Sequence, residues 1–265
     1  MPAPKTRLYV DALLQRGIDL ELDEARANYL RNVLRLGAEA DIALFNAEHG
    51  EWRARIRRID KRGAAVRIED NLREAEASSA GSPIGPWLLF APIKRAPIDF
   101  LVEKATELGV SRMVPVFTRR TVADRVNLGR LRVHAMEAAE QCGRLSVPEI
   151  AEPVKLFDLF GSWRSDPQAS PRRILACAET GDARSLAEIA AERSETPTAL
   201  LIGPEGGFDA VELDAFRDLP FVTPVGLGPR ILRADTAALA ALSIYQAVAG
   251  DGASRPGKTV WPTPK

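Results

Sequence analysis

The sequence predicts an α/β fold: a mostly parallel sheet with helices on both faces over residues 87–250, preceded by a small β-barrel over residues 1–73. Three observations carry this expectation. From residue 87 onward, short apolar runs of strand length alternate with segments of helical period. Two of the late runs empty into glycine-rich turns, Gly203-Pro204-Glu205-Gly206-Gly207-Phe208 and Gly226-Leu227-Gly228-Pro229-Arg230-Ile231-Leu232-Arg233. Before residue 73, apolar and polar residues alternate with period two between short turns. Strands that alternate with helices pair in parallel, because each crossover helix returns the chain to the same sheet edge.

In the first unit, residues 7–10 and 18–22 have strand character. Asp23 is placed to cap a helix whose apolar face is Ala27, Leu30, Val33 and Leu34, with Gly37 as its stop. Residues 41–45 form a strand, 46–50 a turn, and in the next strand Trp52, Ala54 and Ile56 alternate with Arg53, Arg55 and Arg57. Lys61-Arg62-Gly63 turns into a strand at 64–68. The result is a compact barrel with an arginine-studded face, which is either an RNA surface or a merely solvated one. Residues 74–86 are rich in small residues, Gly and Pro and read as a linker.

In the second unit, residues 87–91 form a strand, and Pro97 opens a helix with Ile98, Leu101, Val102, Ala105 and Leu108 on one face and Gly109 after it. A strand at 113–117, a helix at 128–142, a strand at 174–178, a helix at 186–191 and a strand at 200–202 follow. Asp209 and Glu212 have the spacing of a capping box for a helix reaching Phe216. The strand at 221–225 enters the second glycine turn, after which Asp235-Thr236 opens a long apolar helix, 237–248. Strands 200–202 and 221–225, ending side by side, make a ligand site at the carboxyl edge of the sheet, although tight turns alone would also use glycine. Residues 251–265 read as a flexible tail. They contain Gly252-Ala253-Ser254-Arg255-Pro256-Gly257-Lys258-Thr259, which fits the P-loop pattern by coincidence: no strand precedes it, and the prolines after it forbid the required helix.

Composition narrows the function. Thirty-six basic and 36 acidic residues balance, so no global field attracts nucleic acid. Any basic surface is local, and between residues 93 and 133 nine Lys or Arg face four acids. Cys142, Cys177, His49 and His134 are too few and too scattered for a metal centre. The start of the chain lacks an apolar signal region, and no apolar run has the length of a membrane span. The expectation is a cytoplasmic protein with no membrane contact.

The two turns together, the second extended as Leu227-Gly228-Pro229-Arg230-Ile231-Leu232-Arg233-Ala234-Asp235-Thr236-Ala237, closely resemble the signature of the RsmE-type ribosomal RNA methyltransferases of the SPOUT class. The likeness extends to Lys94, to Glu103-Lys104-Ala105-Thr106-Glu107-Leu108-Gly109-Val110, to Thr118-Arg119-Arg120, and to Glu137-Ala138-Ala139-Glu140-Gln141-Cys142 with Arg144. Arg7 and Val33-Leu34-Arg35 resemble the family's N-terminal, PUA-like RNA-binding domain. The likeness is weak across 150–172.

The resemblance implies S-adenosylmethionine-dependent methylation of N3 of a uridine in small-subunit ribosomal RNA, either free or in the assembled small subunit. It also implies a trefoil knot near the C-terminus and a homodimer through the C-terminal domain. Ribose 2′-O-methylation, or RNA binding without catalysis in ribosome assembly, are the alternatives. The implied donor site is Ile202, Gly203, Pro204, Glu205, Gly206, Gly207, Gly226, Leu227, Gly228, Ile231, Leu232, Arg233, Thr236 and Ala237. Arg233 and Arg230 are expected to stabilise the anion that forms when uracil loses its N3 proton, unless they only brace the loops by pairing with Glu205 or Asp235. Glu205 is a candidate base, with Glu137 or direct loss to water as alternatives. RNA contacts are expected at Arg7, Arg35, Arg53, Arg55, Arg57, Lys94, Arg95, Arg119, Arg120, Gln141 and Arg144.

Overall fold

The computed structural model describes residues 4–75, 85–93, 95–178, 183–192 and 196–254. Lys94, the Arg95 side chain, most of the 74–86 linker and residues 255–259 of the P-loop-like stretch lie outside the described residues. The chain divides into two compact units, the first holding 4–75 with 139–147 and the second 85–138 with 148–254.

The first unit is a five-stranded sheet in the order β1 (Arg7–Tyr9), β3 (Asp41–Asn46), β4 (Gly50–Ile59), β5 (Ala64–Arg73), β2 (Asp19–Leu22). The β1–β3 pair is parallel and the others are antiparallel. Its core draws Leu8, Leu22, Ile42, Leu44, Ile56, Val66 and Ile68 from all five strands. The Asp23 carboxylate accepts from the Arg26 N–H at 2.8 Å, capping α1 (Glu24–Asn28). The helix then widens into a π-helical turn, Tyr29–Val33, and ends before Gly37. Arg35 supplies the reversal with φ +55°, and the Leu36 N–H closes on the Leu30 carbonyl at 2.9 Å. The extra residue in the π turn rotates Val33 off the apolar face, leaving it 62% exposed.

The arginines of β4 form a paired face. Arg53 is buried and donates to Asp41 at 3.0 Å, Arg55 spans Asp41 at 3.2 Å and Glu69 at 3.4 Å, and Arg57 reaches Glu39 at 3.4 Å. Arg7, expected at RNA, is also interior, only 3% exposed. Its Nε donates to Glu51 at 3.1 Å. Its Nη1 donates to the carbonyls of Ala139 and Glu140, both at 3.0 Å, and its Nη2 to that of Arg144 at 3.1 Å. These are carbonyls at and beyond the last turn of α3 (Leu128–Cys142), where a helix leaves acceptors unpaired and its dipole favours a cation. Arg7 and Arg53 are therefore held inside the protein, because a buried guanidinium engaged with a carboxylate meets an incoming phosphate only if the groups covering it move.

The second unit is a parallel sheet in the order β12 (Val222–Val225), β10 (Arg173–Cys177), β11 (Thr198–Ile202), β6 (Trp87–Phe90), β7 (Arg112–Phe117), β8 (Glu149–Ile150). The short β9 (Val154–Lys155) also pairs with β7. The two strands that enter the glycine turns are thus not neighbours, since β10 lies between them. Register brings their ends level: Cys177 stands opposite Ile202 on one side and Val225 on the other. At about 4.8 Å per strand the turns start roughly 10 Å apart.

Helices α2 (Arg95–Glu107), α5 (Leu186–Glu192), α6 (Ala210–Asp218) and α7 (Ala234–Ala249) complete the alternation. The weakly patterned stretch at 150–172 holds β9 and α4 (Leu156–Trp163). Phe160 and Trp163 of α4 stack into an aromatic core with Trp87, Phe216 and Phe221. Helix α7 buries Ala238, Ala241, Leu242, Tyr245 and Gln246, packing on α2, α5 and β11.

Breaking a buried charge pair on one side strands the other charge. Arg7→Met, which leaves Glu51 with Arg73 at 3.6 Å and frees three carbonyls, is expected to destabilise the protein by about 3 kcal/mol in urea unfolding. An unfolding midpoint equal to that of the parent would show that Arg7 is not a structural clamp.

Candidate functional site

The first glycine turn is built around one aromatic ring. A Cβ on Gly203 would stand 2.9 Å from the buried Phe208 ring, so only glycine lets the ring close under the turn. Gly207 has φ +67°, and its N–H donates to the Pro204 carbonyl at 2.9 Å. The Gly206 carbonyl accepts from Arg120 Nη1 at 2.9 Å.

The turn leads into the N-terminus of α6, where the expected capping box is present. The Glu212 N–H donates to Asp209 at 2.9 Å, and Glu212 Oε2 accepts from the Asp209 N–H at 2.8 Å. The other oxygen, Oε1, accepts from the Arg119 N–H at 2.8 Å, so a carboxylate on a residue 1% exposed joins the loop after β7 to the glycine turn. The Arg119 guanidinium donates to Asp209 at 3.1 Å. The Glu212 N–H, with help from Arg119 and Arg120, holds the Asp209 carboxyl below the ordinary carboxylate range. Arg119 and Arg120, expected at RNA phosphates, are thus engaged in bracing the first turn.

The second turn is pinned at its start and open beyond. The Gly226 N–H donates to the Arg184 carbonyl at 2.9 Å, and its carbonyl accepts from the Leu186 N–H at 3.0 Å. Gly228 has φ +106°, and nothing lies within 4 Å of where its Cβ would be. Arg230, Ile231 and Arg233 are exposed, Ile231 at 86%. Arg233 is the N-cap residue of α7, and its carbonyl accepts from the Ala237 N–H at 2.7 Å. Among the described residues neither arginine pairs with Glu205 or Asp235, so the bracing alternative is not what the structure shows. Ile202 and Pro204 are buried, Leu227, Leu232 and Ala237 half-buried, and Glu205 and Thr236 exposed.

Few groups here suit proton transfer. Burial pushes the Cys177 thiol up to about 12, removing it as a base or nucleophile at neutral pH. His134 stands 3.5 Å from Asp99 and 3.8 Å from Glu137. Of the expected RNA residues, Arg35 and Gln141 are exposed, and Arg144 donates to the Ser146 hydroxyl at 2.9 Å.

A cavity of about 760 Å³ adjoins the first turn. Its walls are Pro204, Glu205 and Gly206, the start of α2 with Pro92 and Ile93 before it, residues 122–127, and Arg120, Arg130 and Leu131. No residue of 226–237 lines it. Sequence reasoning missed this cavity, because 122–127 carries no glycine and no motif spacing.

Residues 81–246 match the family model of an RNA methyltransferase domain, and residues 22–69 match an RNA methyltransferase PUA domain. The chain belongs to the RNA methyltransferase family. Similar members of the family share about nine-tenths of its length. Ribosomal RNA small subunit methyltransferase E of Rickettsia conorii is 29% identical over 238 residues, 89% of this chain and 93% of that protein. The solved methyltransferase E of Neisseria gonorrhoeae, bound to S-adenosyl methionine, is 28% identical with a TM-score of 0.78, covering 93% of this chain and 98% of that one. A Legionella pneumophila protein solved with its cofactor SAM is 30% identical with a TM-score of 0.79, covering 91% and 97%.

The Glu212 bridge gives a direct test of how the family's first turn is held here. Glu212→Gln places an amide NH₂ against one of two backbone donors and is expected to cost about 2 kcal/mol of unfolding free energy. Equal urea midpoints for variant and parent would contradict the bridge.

Proposed function

We propose that this RNA methyltransferase uses S-adenosylmethionine to methylate N3 of a uridine in small-subunit ribosomal RNA, free or in the assembled subunit. The observation that carries the reading is the pair of glycine turns at the level ends of β11 and β12. Gly207 and Gly228 both have positive φ and open space where a Cβ would stand, a cradle of bare backbone at the carboxyl edge of a parallel sheet. The relatives solved with this donor bound support it. So the residues fit: the backbone of 203–207 and 226–228 would hold the donor, with Leu227 and Leu232 as apolar cover.

When bound, the donor supplies a methyl group on a sulfonium, transferable by direct displacement. The chain's part is to hold the acceptor in line and to favour the uracil anion. Arg233 and Arg230, exposed and without ion-pair partners among the described residues, suit the charge on the carbonyl oxygens flanking N3. The N3 proton leaves to Glu205 or to water. In the first unit, Arg35 and Gln141 offer free surface groups for RNA, and the paired Arg55 and Arg57 add a partly neutralised face.

Two further features belong to the same reading. Gly226 is hydrogen-bonded to residues 184 and 186 through its N–H and its carbonyl, which supports threading of the second turn through the loop after β10 as a trefoil knot. Exposed Ile231, three residues before α7, and Val248, near its C-terminal end, support a homodimer through this unit, and we place the protein in the cytoplasm.

Three measurements test this. Arg233→Ala should slow single-turnover methyl transfer to small subunits by about a hundredfold at saturating RNA, with RNA affinity nearly unchanged; a parental rate would leave Arg233 without a catalytic role. Gly228→Val should abolish donor binding in calorimetry, and unchanged affinity in a folded variant would remove the second turn from the donor site. Light scattering should give twice the 28.9 kDa chain mass, and a monomer at micromolar concentration would refute the dimer.

A further inference from the structure

The 760 Å³ cavity shares only residues 204–206 with the expected donor site, so it is not that site's pocket. Its volume falls within the range of small-molecule sites, roughly 300–1,000 Å³. Three observations describe what it would accept. Its walls are largely apolar, with Pro92, Ile98, Leu131 and Val122, the last 89% exposed at the rim. Among the described residues, the backbone N–H and C=O groups of 122–126, five consecutive residues that line one wall, make no hydrogen bonds within the protein. And the arginines differ. Arg120 is engaged with the Gly206 carbonyl and Arg130 with Asp99, whereas Arg125, exposed, has no partner among the described residues.

An apolar slot, a strip of unpaired amides and one free guanidinium match the three parts of a nucleotide: base face, base edge and phosphate. A base in a helix cannot present its edge or ring nitrogen to an enzyme without leaving the stack, so a methyltransferase acting on a ring nitrogen needs a pocket of this kind. We propose that this cavity receives the single extruded acceptor nucleotide. Its base lies against Ile98 and Val122, its edge is read by the backbone of 122–126, and its phosphate meets Arg125. The shared wall at Pro204-Glu205-Gly206 puts that base beside the turn expected to hold the donor. This inference rests on the methyltransferase reading above and adds to it the residues that select the base. Residues 122–126 become specificity determinants that act through main chain, which is why their side-chain types show no motif.

The test has two arms. In the first, uridine 5′-monophosphate is titrated into the full chain and amide resonances are followed by NMR. Shifts should concentrate at 122–127 and vanish in Ala123→Phe, which puts a ring against the wall where the base is proposed to lie. Shifts confined to 226–233, or absent, would overturn the proposal, and this arm does not depend on methyl transfer. In the second, Arg125→Ala, a surface change that leaves the core intact, and Ala123→Phe are compared in single-turnover transfer to small subunits. Both should lower the rate about tenfold or more while RNA affinity and donor affinity stay within twofold. A loss of donor affinity would make the cavity part of the donor site, and parental rates in both variants would make it no site at all; either result overturns the proposal. If the parent binds the nucleotide at 122–127 but transfers no methyl group, the pocket stands and the methyltransferase reading fails.

Discussion

The site depends on the carboxylate of Glu212. A charged group on a residue so nearly excluded from solvent is tolerable only when its lone pairs are met, and here two backbone N–H groups meet them. One donor is the N-cap residue of α6 and the other lies 93 residues before Glu212, after β7. A single buried charge therefore ties together two loops that chain entropy would otherwise leave independent. Arg119 and Arg120 extend the tie, one to the Asp209 carboxylate and one to the Gly206 carbonyl. The first glycine turn can thus expose bare backbone without collapsing, since its stiffness comes from neighbours rather than from its own side chains.

Placing β10 between the two glycine-bearing strands has a related consequence. Turns on adjacent strands would start about 5 Å apart, too close for anything larger than a water-sized group to sit between them. One intervening strand doubles that separation and leaves a gap floored by the end of β10. Gly226 is anchored to the segment following β10, so the second turn is positioned by its neighbour before it opens at Gly228. The parallel register, with Cys177 opposite both Ile202 and Val225, makes the three strand ends a common edge.

What was legible in the sequence followed local physics. The Asp209–Glu212 spacing encodes a box of reciprocal hydrogen bonds, and α3 spans residues 128–142 as its apolar period requires. The glycine turns announced themselves because positive φ and close ring packing leave few other residues possible. What was not legible depended on pairing at a distance. Nothing local in β4 states that Asp41, Glu39 and Glu69 will neutralise its arginines, and nothing near residue 7 states that α3 will end against it. The order of strands is likewise non-local, so adjacency of β11 and β12 was a wrong inference from their similar endings. The cavity wall at 122–126 left no trace because it carries no glycine and no motif spacing.

The arginines show how a chain with no net charge can still handle an anionic polymer. Several that a count of charges would assign to RNA are committed within the protein: Arg7 to helix carbonyls, Arg53 to Asp41, Arg119 and Arg120 to the α6 cap and the first turn. Their removal from the free pool leaves exposed arginines such as Arg125, Arg230 and Arg233, which lack ion-pair partners among the described residues, near the two turns. A uniformly basic surface would hold RNA in many registers, because phosphate contacts carry no sequence information. On the function proposed above, free cations concentrated near the reacting edge would instead favour the registers in which a nucleotide is delivered to that edge. Internal pairing of the others would then contribute to specificity by subtracting competing sites.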